Sequence, residues 1–183
     1  KDESVEVCKI KGVRPDYITQ RGIDTLLTEG LPDLEYEGTS YCIPGAGLQA
    51  RIGFTSDPRY DNQISINALL RDKKISMTSK PFNSKRVKVG GVFMTGLRDN
   101  DTKFIFTSLQ FAETLLDYKK EITGLEVFTH DLSKSQLYQL KSNIAEIVGK
   151  KCKVETREEQ NALIFSATKS EKIAVFIILC FVM

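Results

Sequence analysis

Three sets of residues have types and spacings that could carry chemistry. Gly45, Gly47 and Ala50, in GAGLQA, fit the pattern G-x-G-x-x-G/A. Between a buried parallel strand and a helix, that pattern brings backbone N–H groups up to a dinucleotide pyrophosphate. Here Pro44 sits in the short stretch before it, and TSDPRYDN breaks the chain soon after Gly53. A tight turn into a short helix is therefore the expectation. His130 is the single histidine and is followed by Asp131, with no activating constellation visible, so a turn histidine is expected rather than a general base. Glu158 and Glu159 are adjacent, and on a helix neighbours point about 100° apart, so they cannot act as a catalytic carboxylate pair.

Other signatures are missing from the sequence. It has no G-x-S-x-G, no Walker A pattern and no C-x-x-C. The four cysteines, Cys8, Cys42, Cys152 and Cys180, are scattered, and free buried thiols are the expectation for those in the body of the protein. The chain is accordingly expected to be non-catalytic and to hold no cofactor and no metal.

The elements that would position such residues are those of an ordinary globular protein. Charged residues make up 27% and the apolar set 41% of the 183 residues, which suits one medium domain or two small ones. With 26 basic against 24 acidic residues, the charge gives no general case for nucleic acid or anionic lipid. Alternation of apolar and charged residues predicts strands in SVEVCKIKGV, QISINALL and KRVKVGGVFMTG, with a further short strand at 74–78. SYCIPGAGLQARIGF reads as a strand, a Gly-rich turn and a short helix. The stretch between Arg14 and Gly38 reads as turn-rich with one short helix.

The pattern changes near residue 100. KFIFT, ITGLEVFTH and CKVET read as strands. Thr107 and Gln110 have capping-box spacing ahead of a helix with Leu109, Ala112, Leu115 and Leu116 on one face. Ser133 can cap a second helix with Leu137, Leu140, Ile144 and Ile147 on one side, closed by Gly149.

Two stretches have the composition of interaction surfaces. KPFNSKRVK places Lys80, Lys85, Arg86 and Lys88 around Phe82. It reads as a solvated hairpin loop, and its functional reading is a protein-docking loop made by Lys80, Pro81, Phe82, Asn83, Lys85 and Arg86. The other is the C-terminal stretch. Thr156 and Glu159 have capping-box spacing, no Gly or Pro follows, and a helix from Arg157 to Met183 would be roughly 40 Å long. From Ile173 to Met183 no side chain is polar except the Cys180 thiol. A core helix is apolar on one stripe, whereas this run is apolar all round. It is shorter than the ~20 residues that span a bilayer. It is expected to be the start of a transmembrane helix, with a buried C-terminal helix as the alternative.

In order, VCKIKGVRPDY, YCIPGAGLQARIG, KVGGVFMTG, EITGLEVFTHD and EEQNALIFSATKSEKIAVFIIL resemble the extracytoplasmic core domain of FtsX/MacB-like ABC-transporter permeases. The closest likeness is to lipoprotein-releasing permeases of the LolC/LolE kind, and it covers nearly the whole chain. Its most specific part is E-x-N-x-x-x-F-x-A-x-K-x-E-K, here Glu159, Asn161, Phe165, Ala167, Lys169, Glu171 and Lys172. The resemblance implies an α+β fold of two lobes. A β-rich, sabre-like lobe would cover 1–100 and part of a β-α-β, porter-like lobe 101–156. A coupling helix from Thr156 would lead into the membrane over 157–183. It also implies a first half of the porter lobe and a first transmembrane helix before Lys1.

The implied place is the periplasmic side of a bacterial inner membrane. The implied partners are a cytoplasmic ATP-binding subunit, a second permease copy or paralogue, a lipoprotein substrate and a periplasmic lipoprotein carrier. The hairpin that precedes KRVKVGGVF in carrier-recruiting members is shorter here, as MTSKPFNS. Within the family, control of a cell-wall hydrolase or efflux of another substrate are the alternatives. Outside it stand an enzyme using the Gly45–Ala50 turn and a free-standing adaptor.

Overall fold

Cys42 and Ile43 are sequence neighbours yet lie in different apolar clusters, and Ile105 faces away from Phe104 and Phe106 on either side of it. An extended chain turns successive side chains to opposite faces. Sequences with apolar residues at both parities therefore build a sheet that is covered on both sides.

The computed structural model describes residues 4–60, 62–70, 82–119, 121–149, 152–160 and 162–182, without the side chains of 163–169 and 182. Two compact units divide them, 1–123 and 124–183. The first holds β1 (Lys9–Val13), α1 (Pro15–Gln20), β2 (Leu27–Gly30), β3 (Glu35–Tyr36), β4 (Thr39–Pro44), α2 (Ala46–Ile52) and β5 (Gln63–Leu69). It continues with β6 (Phe82–Val89), β7 (Gly91–Phe93), α3 (Arg98–Lys103), β8 (Phe104–Ser108) and α4 (Leu109–Leu116). The second holds α5 (Lys134–Val148), α6 (Arg157–Gln160) and α7 (Ala162–Val182).

The fold class is α+β with a mixed sheet. Its strand order is β1-β8-β4-β6-β5, with β3 also on β4, while β2 and β7 form a separate antiparallel pair. β1 runs parallel to β8 and β4 parallel to β6; β4–β8 and β5–β6 are antiparallel. The sheet therefore joins residues from both sides of position 100, and 101–123 belong to the first unit.

One face of the sheet carries Cys42, Ile66, Val87, Val89 and Ile105 against Leu48 of α2 and Phe111 and Leu115 of α4. The other carries Val13, Ile43 and Phe93 with Ile18, Ile23 and Leu34. Fully burying a side chain such as Ile18, Leu48 or Leu115 contributes about 1.5–3 kcal/mol. α4 lies so close to β1 that a Cβ on Gly12 would fall 2.3 Å from the Ala112 Cβ.

Several expectations are corrected. Strand pairing begins at Lys9, so Ser4–Cys8 are not strand. The turn-rich stretch contains β2 and β3 as well as its helix. The N-cap of α4 is Ser108, whose hydroxyl accepts the Phe111 N–H at 3.2 Å, because β8 stays in register one residue beyond Thr107, through Val13–Ser108. ITGLEVFTH and CKVET are not strands. Alternation orders side chains, but a strand exists only through a ladder partner, and none of the described residues pairs with them. The expected strand at 74–78 lies outside the described residues.

In the second unit, Ser133 and Gln136 close a capping box on α5, and Gly149 follows it with φ of 62°. The half-buried stripe of α5 is Leu137, Leu140, Lys141, Ile144 and Val148, with Ile147, expected on that face, 84% exposed. Helical periodicity carries the stripe to position 148 rather than 147.

Candidate functional site

The residues with the most directed geometry sit where α6 begins. Thr156 is buried, and its hydroxyl accepts the Glu159 N–H at 3.3 Å. The Glu159 carboxylate in return accepts the Thr156 N–H at 2.9 Å, so the expected capping box is formed in both directions. Lys141 reaches the same carboxylate from α5, donating to its two oxygens at 2.6 and 2.7 Å. A second, looser pair joins Lys134 and Glu158 at 3.7 Å. Lys134 and Lys141 are seven residues apart and so share a side of α5. That spacing was the available signal for this contact, and the sequence reading passed over it because an apolar stripe drew the attention.

The Lys141 ammonium, with the Thr156 N–H second, holds the Glu159 carboxyl below its ordinary range. One carboxylate thereby fixes the helix start and ties it to α5. Chemically the arrangement is a clamp; its acid is committed to three donors and is not poised to move a proton.

Beyond it the chain is helical on both sides of Asn161, which lies outside the described residues. Phe165, Ala167 and Lys169 fall within α7, and Glu171 and Lys172 are exposed there. From Ile173 onward the apolar side chains of α7 are open on every side, from 49% exposed at Ile177 to 88% at Phe181. No helix among the described residues is long and apolar enough to cross a membrane.

The basic stretch proves to be strand rather than loop from Phe82 onward. The hairpin ladder runs from Gln63–Lys88 to Leu69–Phe82, and the pairing of Ala68 with Asn83 and Ile66 with Lys85 recruits the residues expected in the loop. Phe82 and its partner Leu69 are 48% and 78% exposed, an apolar pair at the end of the ladder. Asn83 is turned inward, donating to the Thr114 and Leu115 carbonyls at 3.1 Å, where the last turn of α4 leaves acceptors open. Arg86 is exposed and Lys85 half-buried. Lys80 and Pro81 lie outside the described residues.

Gly45 and Gly47 are explained by packing. A Cβ on Gly45 would stand 2.3 Å from the Asp101 carbonyl oxygen, and one on Gly47 2.5 Å from the Thr102 methyl. The glycines let α2 meet α3, and the strand before them is antiparallel to β8, unlike the parallel sheet of a dinucleotide site. His130 is exposed in the turn before α5. Of the cysteines, Cys42 is buried and Cys8 half-buried, and burial pushes both thiols up. Cys152 is exposed, against the expectation of a buried thiol, because its segment has no covering partner among the described residues. No group of three His, Cys, Asp or Glu side chains among the described residues is placed to hold a metal ion.

The chain matches no protein-family model and no curated protein in comparison.

Proposed function

We propose that this chain is a non-catalytic extracytoplasmic domain of an ABC-transporter permease that releases lipoprotein from the inner membrane. ATP hydrolysed by a cytoplasmic subunit moves the membrane helices. The helix that starts at Thr156 passes that motion to the periplasmic part, which releases substrate. In this reading the first unit belongs to a sabre-like lobe, and the second unit carries part of a porter-like lobe and the coupling helix. A second permease copy or paralogue completes the transporter. The 82–86 edge, led by Phe82, faces a periplasmic partner such as a lipoprotein carrier.

The observation that carries this reading is α7 together with its root. Its apolar side chains from Ile173 are uncovered all round, which suits lipid or neighbouring membrane helices as solvent. Its start is clamped by Glu159 to Lys141, as a lever needs to be. The resemblance in E-x-N-x-x-x-F-x-A-x-K-x-E-K adds the family. Fractionation of cells producing the complete protein tests it. The chain should be recovered with the inner membrane and be cut by protease added from the periplasmic side. Recovery in the soluble fraction, or protection from that protease, contradicts the reading.

A further inference from the structure

Parallel pairing of β1 with β8 sets Lys9 beside Phe104 and Lys11 beside Phe106. Period two puts these four on one sheet face, because Ile10 and Ile105 between them join the opposite cluster. On that face the Lys9 ammonium lies 5.5 Å from the Phe104 ring centre. The Lys11 ammonium lies 4.7 Å from the Tyr17 ring centre and donates to its hydroxyl at 2.5 Å. The Arg21 guanidinium stands 5.9 Å from the centre of the same ring. Beside this cluster a cavity of about 160 Å³ opens to solvent, with Phe93, Phe104 and Phe106 in its walls and Lys11 and Asn100 among its polar groups.

We propose that this cavity binds a small monoanion whose apolar body is one aromatic ring or a short aliphatic chain, an aromatic carboxylate being the best fit. Size sets the body: an apolar cavity of about 150 Å³ accepts a single benzene ring, while pockets for drug-sized ligands start near 300 Å³. Charge sets the head group. No residue lining the cavity carries a carboxylate. Asp101, next to Asn100, has its oxygens taken by the Thr95 N–H and hydroxyl, both at 2.8 Å, and by the Gly96 N–H at 3.1 Å. The Lys11 ammonium, aimed by Tyr17, makes the charge-assisted contact, and Asn100 adds an amide donor. The rings supply apolar contact, and their faces favour nearby cations. This inference does not rest on the transport reading.

The full chain titrated with benzoate should show saturable amide shifts in the millimolar range, confined to β1, β7, β8 and α3. Benzyl alcohol, the same ring without charge, should bind about fivefold more weakly, the size of one charge-assisted contact at a partly exposed site. Lys11→Met should erase that difference. Leu26→Trp, which fills the cavity from its wall, should abolish binding of both ligands. Asp24→Asn, one residue from the wall at Ile23, should not weaken benzoate. The proposal is overturned by shifts that fail to saturate or that scatter over surface lysines. Equal affinity for the two ligands, or benzoate binding that survives Leu26→Trp, also overturns it.

Discussion

The two units use the same kinds of pattern and reach opposite results. In the first, alternating strands and amphipathic helices cover one another, and residues such as Cys42, Ile43, Leu48 and Leu115 are fully buried. In the second, Thr156 is the only buried residue among those described. The stripe on α5 is half-covered, Leu125 and Val127 stand open, and α7 is bare. A hydrophobic pattern states which side chains share a face. Whether that face is buried depends on what lies against it, and only the first unit supplies this from within.

The sharpest way to break the contrast is a deletion of apolar atoms in each unit. Leu115→Ala should cost about 2–5 kcal/mol, since the cavity it leaves is enclosed by sheet and helix. Ile147→Ala should change stability by less than about 0.5 kcal/mol. Urea unfolding of both variants checks this, and equal losses would show that the second unit has a core after all.

A smaller effect concerns the clamp. The Glu159 carboxyl is lowered from 4.5, so its contribution is fully present above that ordinary value. It is lost as pH falls through the lowered one. Carboxyl NMR should find the Glu159 midpoint below 4.5 in the parent chain. Lys141→Met should move it upward, though not fully, because the Thr156 N–H remains. An unchanged midpoint would mean that Lys141 does not hold the carboxylate in solution.

The smallest expected change in stability is at the hairpin end. Phe82→Ala should leave unfolding within about 0.5 kcal/mol, since Phe82 is half-exposed. In binding measurements with the periplasmic partner it should weaken the complex, as loss of an exposed aromatic anchor does. A large stability loss would place Phe82 in the core of the first unit and remove the motive for docking there.

Much of the first unit was legible because its signals are local. Alternation located β5 and β6, Pro44 and Gly53 bracketed a short helix, and Ser133 with Gln136 announced α5. What was not legible was pairing. Val13 reaching Ser108 moved a helix cap by one residue, and Leu69 meeting Phe82 turned an expected loop into strand. ITGLEVFTH has the alternation of a strand without a partner among the described residues. For the site, Thr156 and Glu159 could be read from spacing alone. Lys141 could not, because its contact crosses between two helices whose approach no local pattern specifies.

The central claim is that the helix beyond Thr156 carries displacement between membrane and lobe. A proline within α7 removes a backbone donor and clashes with the preceding turn, costing about 3 kcal/mol and kinking the helix. Ala167 lies between the clamped start and the apolar run. In the complete transporter carrying Ala167→Pro, ATPase rate and lipoprotein release should be measured on one reconstituted sample, with Ala167→Leu as the helix-preserving control. The account predicts that hydrolysis persists while release falls sharply in the proline variant alone. A proline variant that assembles normally and releases lipoprotein at the parent rate would contradict it.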